Sequence, residues 1–166
     1  YPLGDFPRVV SLCFLVAKKE GSAKRLVVAY QRLNPRLEAH AVGPPHMEST
    51  LKRFARTRWK VKLDCHSGSW QFGMSARASK LSTFISPRGR VLRWRVMPYG
   101  LANSPGIFQE AMNQLTALAR RSCKDICKRG GVIEAYVDDI AIGAQKVADT
   151  MALLTAFLTE CRNFGV

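Results

Sequence analysis

Two adjacent aspartates sit in the middle of an apolar segment. EAYVDDIAIG, residues 134–143, reads as a strand with Tyr136, Val137, Ile140 and Ile142 at half-buried positions and Asp138 and Asp139 between them. Aspartate is a poor strand former, and a buried carboxylate is costly unless something pairs with it. VKLDCHSGSW ends a second apolar strand on Asp64, 74 residues before Asp138 and the only acidic residue between Glu48 and Glu110. If the two strands are neighbours, these carboxylates meet at one end of a sheet. They would repel one another there unless a divalent cation lay between them. Mg2+ suits such a place, because it takes oxygen ligands, keeps waters and is often shared with substrate phosphates. Two such ions about 4 Å apart stabilise both the attacking and the leaving oxygen of an in-line phosphoryl displacement. The chemistry implied is nucleotidyl transfer. A solvated hairpin turn is the other reading of an Asp-Asp pair; the apolar flanks and the distant Asp64 weigh against it.

The elements that must hold these residues mix strands and helices. Val9 to Ala17 and Leu26 to Tyr30 read as a hairpin whose tip, KKEGSAKR, is basic. Pro35, Gly43, Pro44 and Pro45 mark residues 34–46 as a loop. Met47, Leu51, Phe54 and Ala55 recur at helical spacing, and Val61 and Leu63 open the strand that leads into Asp64. Leu81 to Ser86 and Val91 to Val96 flank PRGR as a second hairpin. Ser104-Pro105 starts a helix, with Ser as N-cap, and Ile107, Phe108, Ala111, Met112, Leu115 and Leu118 form its apolar face. Gly130-Gly131 interrupts the chain before the Asp-Asp strand. Val147, Met151, Leu154, Leu158 and Cys161 give a last helix its stripe. This order predicts an α+β fold, an antiparallel sheet backed by helices.

The 166 residues carry a net charge of +14. Residues 1–100 hold 19 Lys and Arg against 5 Asp and Glu, and residues 101–166 hold 7 against 7, so the whole excess lies in the first hundred. A one-sided excess of this size points to a polyanion partner, because phosphate neutralisation releases counterions. The five cysteines have no framework spacing, and His40, His46 and His66 make no metal half-site with Cys123 and Cys127. The cysteines therefore read as reduced and structural. The start, YPLGDFPRVV, has no signal-peptide pattern and no initiator Met, as expected of a piece of a longer chain, and no apolar run is long enough for a membrane span.

Four blocks in order resemble a known family. VAKKEGSAKRLVVAYQRLN is similar to a fingers hairpin, KLDCHSGSWQ to the strand with a first catalytic Asp, VMPYGLANSPGIFQEAMN to the loop and helix beside a nucleotide site, and YVDD to the signature of reverse transcriptases. The blocks are most like those of gypsy-type LTR retroelements and, more distantly, retroviruses. The resemblance implies a right-hand polymerase, with residues 1–62 mainly fingers and 63–166 mainly palm, about 75–98 returning to the fingers. The thumb and RNase H regions would come later and are absent here. It implies RNA-directed DNA polymerisation, adding dNTPs to a primer 3′ end on an RNA or DNA template. It also implies Mg2+ or Mn2+ as cofactor, the rest of the polymerase as partner if the chain is part of a polyprotein, no membrane partner, and a cytoplasmic setting, with the nucleus as the other choice. Asp64, Asp138 and Asp139 match the catalytic aspartates. Asp64 and Asp138 would ligate metal with the backbone carbonyl of Cys65, and Asp139 would support the metal at the primer end. Lys18, Arg25, Ser69, Tyr99 and Gly100 fall at nucleotide-binding positions, whereas Phe108 and Gln109 would organise their helix.

Two departures bear on activity. The family usually places Tyr or Phe, which excludes a 2′-hydroxyl, where this chain has Ser69 followed by Trp70. Its Asp-aromatic-Arg in the fingers is Ala29-Tyr30-Gln31 here, which removes a charged pair from the expected template grip. Residues 116–131 are basic and look longer than usual, as a surface insertion or an added nucleic-acid contact. These changes keep open an alternative, a degenerate or domesticated reverse-transcriptase-like domain that binds nucleic acid without polymerising.

Overall fold

The computed structural model describes residues 10–17, 24–38, 40, 42–43 and 46–166. Along the chain run β1 (Ser11–Ala17), β2 (Lys24–Val28), α1 (Met47–Ala55), β3 (Trp59–Asp64), α2 (Ala76–Leu81), β4 (Phe84–Ile85), β5 (Val91–Leu92), α3 (Ser104–Ser122), α4 (Lys124–Lys128), β6 (Val132–Tyr136), β7 (Asp139–Ala144) and α5 (Val147–Phe164). They divide into two compact units, Tyr1–Ala39 with Ser69–Ser104 and His40–Gly68 with Pro105–Val166.

The first unit is built on a sheet of order β2-β1-β4-β5. β1 and β2 pair antiparallel from Cys13↔Val28 to Ala17↔Lys24, as the hairpin reading expected. One pair departs from an antiparallel sheet: β1 and β4 run parallel, joined at Ser11↔Phe84 and Leu12↔Ile85. Val28, Tyr30, Leu33 and Phe84 form the core, with Trp94 and Leu101 packed against it. Tyr30 is almost fully buried, and its hydroxyl donates to the Ser82 carbonyl at 3.2 Å. Burial pushes that phenol well above the usual tyrosine range. Leu81 was expected in a strand but ends α2, which Ser75 caps by accepting from the Ala78 N–H at 3.2 Å.

The second unit holds an antiparallel sheet of order β3-β7-β6. Ile140 and Ile142 of β7 and Ile133 of β6 are fully buried. α5 packs against β7 and β3, and α1 against β6 and β7. Gly130, at φ 92°, lets the chain turn out of α4 into β6.

Two helix readings need correction. α3 buries Phe108, Ala111, Met112, Leu115 and Ala119, while Ile107 and Leu118 are exposed. Its Ser104 hydroxyl donates to the Pro98 carbonyl at 3.0 Å and does not act as the expected N-cap. On α5 the buried face is Thr150, Leu153 and Phe157; of the expected stripe, Val147, Met151 and Leu158 are exposed, and Leu154 and Cys161 are half-buried. That helix carries two apolar stripes, so periodicity alone could not say which one meets the sheet.

Candidate active site

The β3 and β7 strands are neighbours, and their register sets Asp64 directly across from Asp139. One step on, the Cys65 N–H donates to the Asp138 carbonyl at 2.9 Å, which ties the end of the Asp64 strand to the Asp138 backbone. The aspartate pair is thus not in mid-strand, as the apolar pattern suggested. Val137 and Asp138 form a two-residue turn that joins Tyr136 and Asp139. Val137 sits at φ 51°, in the left-handed region. Positive φ at the first loop residue of a tight hairpin is usually left to glycine, and a β-branched residue there costs about 1–2 kcal/mol.

Gln109 holds that turn. Its side chain is buried on α3, and its Oε1 accepts the Val137 N–H at 2.7 Å. Its Nε2 donates to the Ala135 carbonyl at 3.0 Å and to Asn113 Oδ1 at 2.9 Å. The sequence reading assigned Gln109 to helix organisation; besides Asn113 on its own helix, it holds the strand and turn that carry the aspartates. Gly68 is a second residue that the sequence did not single out. A Cβ there would stand 2.6 Å from the buried Phe108 ring and 3.0 Å from Asp138 Oδ1, so any side chain would force these neighbours to shift. Neither signal could be read from spacing, because each depends on what the fold brings up against the residue.

The electrostatics follow from this crowding. Asp138 Oδ1 is buried and has no hydrogen-bond partner among the described residues. Burial first, and then the charges of Asp64 and Asp139, push the Asp138 carboxyl above the usual range. Burial also pushes the Cys65 thiol up to about 11, with Asp138, Cys161 and Asp64 adding to it. Asp139 lies more in the open, with its Oδ1 3.0 Å from Lys62 Nζ. Asp64, Asp138 and the Cys65 backbone therefore share one end of the sheet, while the Asp139 side chain leans to a lysine. Beside Asp139 a cavity of about 220 Å3 is lined mostly by apolar side chains, among them Leu51, Phe54, Tyr136 and Ile140.

Among the described residues, no three His, Cys, Asp or Glu side chains already surround a point that could hold a metal ion. Mg2+ does not need such a cage, since it binds through one or two carboxylates, waters and substrate phosphates. An unpartnered buried carboxylate oxygen beside two further carboxylates fits an oxygen-liganded divalent cation.

The expected nucleotide-binding residues fall in the first unit, and Lys18 lies outside the described residues. Arg25 places its guanidinium 5.6 Å from the centre of the Tyr99 ring, a cation–π contact. Tyr99 in turn lies 5.6 Å from Trp70 between ring centres, and Trp70 lies 5.9 Å from Trp94. Ser69 is buried, while its neighbour Trp70 is 40% exposed. Gly100 has φ 93°, a conformation glycine takes without strain. Asn34 fixes this loop by donating to the Gly100 carbonyl and accepting the Ala102 N–H, both at 3.0 Å. Arg25, Tyr99 and Gly100 are thus organised on one unit, with Asn34 as the support that the sequence reading did not isolate.

An α+β fold with carboxylates gathered at the ends of paired strands is the geometry that a nucleotidyl-transfer site would need. Residues 8–166 match the family described as "Reverse transcriptase (RNA-dependent DNA polymerase)", and the chain belongs to that family. It is 29% identical over 150 residues to the enzymatic polyprotein of Cauliflower mosaic virus (strain D/H), covering 90% of this chain and 21% of the relative. It is 29% identical over 160 residues to that of Figwort mosaic virus (strain DxS), covering 95% and 22%. The chain thus spans about a fifth of these relatives. In fold it is similar to prototype foamy virus protease–reverse transcriptase, with TM-score 0.76 and 23% identity, covering 94% of this chain and 19% of that one. That likeness bears out the fingers–palm α+β architecture.

Proposed function

We propose that this chain carries out RNA-directed DNA synthesis, adding dNTPs to a primer 3′ end. The observation that carries the reading is the Asp138 turn, with its buried unpartnered oxygen, stitched to the end of the Asp64 strand. Asp64 and Asp138 would hold a divalent cation, Mg2+ or Mn2+, with the Cys65 carbonyl as a further ligand and Asp139 in support at the primer end. Such an ion, when bound, supplies Lewis acidity to the primer hydroxyl and the α-phosphate. The chain's own residues bind and orient the reactants. Arg25, with Lys18, offsets the triphosphate charge, Tyr99 and Gly100 border the incoming nucleotide, and Ser69 stands at the sugar.

In this reading residues 1–62 are mainly fingers and 63–166 mainly palm, with about 75–98 belonging to the fingers. The element is of the LTR type, near the gypsy group, on the strength of the four sequence blocks. Its template, primer and dNTP are the substrates, the remainder of a polyprotein is the partner, and the setting is cytoplasmic. Among the described residues, no helix is long and apolar enough to cross a membrane.

The test is extension of a primed RNA template with a dNTP while Mg2+ or Mn2+ is titrated, in the wild type and in Asp138→Asn. Metal-dependent extension that the substitution abolishes is the expected result. Extension that Asp138→Asn leaves intact would overturn the assignment.

A further inference from the structure

The basic stretch 116–131 carries five Lys and Arg against one Asp, and with them two of the chain's five cysteines, Cys123 and Cys127. Nucleotidyl transfer makes no use of this pair, and the sequence offered it no histidine half-site. The structure gives it a fixed geometry. The Cys123 N–H donates to the Ala119 carbonyl at 3.1 Å, and the Cys127 N–H donates to the Cys123 carbonyl at 3.0 Å. The two side chains are therefore one helical turn apart on one face. The far end of the turn is closed as well. The Gly130 N–H donates to the Cys127 carbonyl at 3.1 Å, and the Gly131 N–H donates to the Ile126 carbonyl at 2.9 Å. Arg129 Nη2, 3.5 Å from Asp149 Oδ1, anchors the end of α4 to α5.

Side chains at this spacing have Cβ atoms about 5–6 Å apart. A disulfide needs about 3.5–4.5 Å. The pair is thus too wide for a bond between the sulfurs but suited to an ion between them, at about 2.3 Å from each as thiolates hold zinc. Both thiols are free and half-buried, and Cys123 Sγ donates to the Ala152 carbonyl of α5 at 3.8 Å. Burial pushes both thiols up. At Cys127 the charge of Cys123 adds to burial, Arg120 and Arg53 pull the other way, and Glu134 adds a last upward push. Among the described residues, no group of three His, Cys, Asp or Glu is placed to hold a metal ion. A tetrahedral zinc site therefore lacks its other ligands, which leaves a soft ion that is satisfied by two thiolates. Two thiolates around a monovalent ion carry one net negative charge. Lys124 and Lys128, exposed on α4, offset it.

We propose that Cys123 and Cys127 form a clasp for a soft monovalent cation of the Cu(I) class. Binding exchanges two S–H bonds for two S–Cu bonds and releases two protons, with no change in oxidation state. The clasp is independent of the polymerase reading, because no carboxylate, dNTP or nucleic acid enters it. In the test, the full chain is loaded with Cu(I), kept reduced by ascorbate without oxygen, in competition with a colorimetric Cu(I) chelator. A second portion is alkylated with iodoacetamide, with and without Cu(I), and digested for mass spectrometry. The chain should hold one Cu(I), and Cys123 and Cys127 should be protected together while Cys13, Cys65 and Cys161 alkylate as in the metal-free protein. Protection that is spread over all five cysteines, centred on Cys65 and Cys161, or seen at none would overturn the proposal. This footprint uses the wild type, so a folding defect in a variant cannot hide the answer. Cys127→Ser should weaken Cu(I) binding by more than about a hundredfold, beyond the roughly 10–100-fold that loss of a metal ligand's outer partner costs. Cys127→Ser/Lys128→Cys keeps the number of thiols but moves one off the shared face, and it should bind as weakly. Recovered binding there would mean that thiol count, and not the helical turn, holds the ion, and would overturn the clasp.

Discussion

The Oδ1 atom of Asp138 is buried without a partner among the described residues, and Asp64 and Asp139 add their repulsion to the cost of burial. A carboxyl raised in this way destabilises the metal-free fold once it ionises. Its contribution favours the folded state at low pH. That contribution is lost as pH rises from the unfolded value, about 3.9, through the raised folded value, after which the cost is constant. Asp138→Asn stays neutral throughout. The melting temperature of the variant, relative to wild type in EDTA, should therefore climb across that window and then level off a few degrees higher. Millimolar Mg2+ should raise the wild type and leave the variant nearly unmoved, by mass action on a site that only the wild type has intact. Thermal melts from pH 4 to 7, with and without Mg2+, check both parts; a difference that is flat with pH would refute the first. Gly68 sets a steric limit on the same atom. Gly68→Ala drives a methyl into the Phe108 ring and toward Asp138 Oδ1. It should cost about 1–3 kcal/mol in urea unfolding, as overpacking does, and slow extension as well. A variant as stable and as active as wild type would mean that Phe108 yields.

At the scale of elements, the β6–β7 turn depends on α3. Val137 holds a positive φ that its β-branched side chain disfavours, and the Gln109 amide meets the backbone leading into it, at the Ala135 carbonyl and the Val137 N–H. Gln109→Leu keeps the bulk and removes the hydrogen bonds, leaving the Val137 N–H without its partner. The loss should be about 1–3 kcal/mol in urea unfolding. Gln109 is a positioning residue, so the Val137 amide should also exchange faster and kcat should fall more than KM changes; intact exchange protection with lowered stability alone would leave it a merely structural residue. Glu134 ties a second set of elements. Its Oε1 lies 2.7 Å from Arg53 Nη1 on α1 and 3.0 Å from Arg120 Nη1 on α3. How far such features could be read in the sequence depended on their range. The β1–β2 hairpin, α1, and the strand into Asp64 followed from local periodicity and are present. α2 was missed because six residues give too little periodicity to outvote a strand reading. The register of α5 was misjudged because Thr150 is buried while Met151 is not, a choice made by the sheet beneath it. The aspartates were placed in a strand because nothing local announces a left-handed valine, which a glutamine 28 residues away makes tolerable.

Charge is the property that belongs to the whole molecule. The excess of positive charge lies entirely in the first hundred residues, so nucleic-acid affinity should depend on that part of the chain and fall steeply with salt. The basic stretch 116–131 could have been an added contact, and the structure supplies a different use for part of it. Arg120 is committed to Glu134 and to the Ile133 carbonyl, and Arg129 Nη2 lies 3.5 Å from Asp149 Oδ1. These pairs join α3 to β6 and the end of α4 to α5 within one unit, and residues 101–166 as a whole balance their charges. Lys124 and Lys128 are the exposed cations of α4 itself. With a primer–template duplex, Lys124→Gln/Lys128→Gln should leave affinity within about twofold and the salt slope within about 0.5, because each phosphate contact on a duplex is worth about 0.9 of slope. Filter binding between 50 and 200 mM salt measures this, in the range of about tenfold to several hundredfold loss that a few phosphate contacts produce. A slope reduced by nearly two would instead make α4 part of the nucleic-acid surface, and the positive field of the first hundred residues would then no longer account for binding by itself.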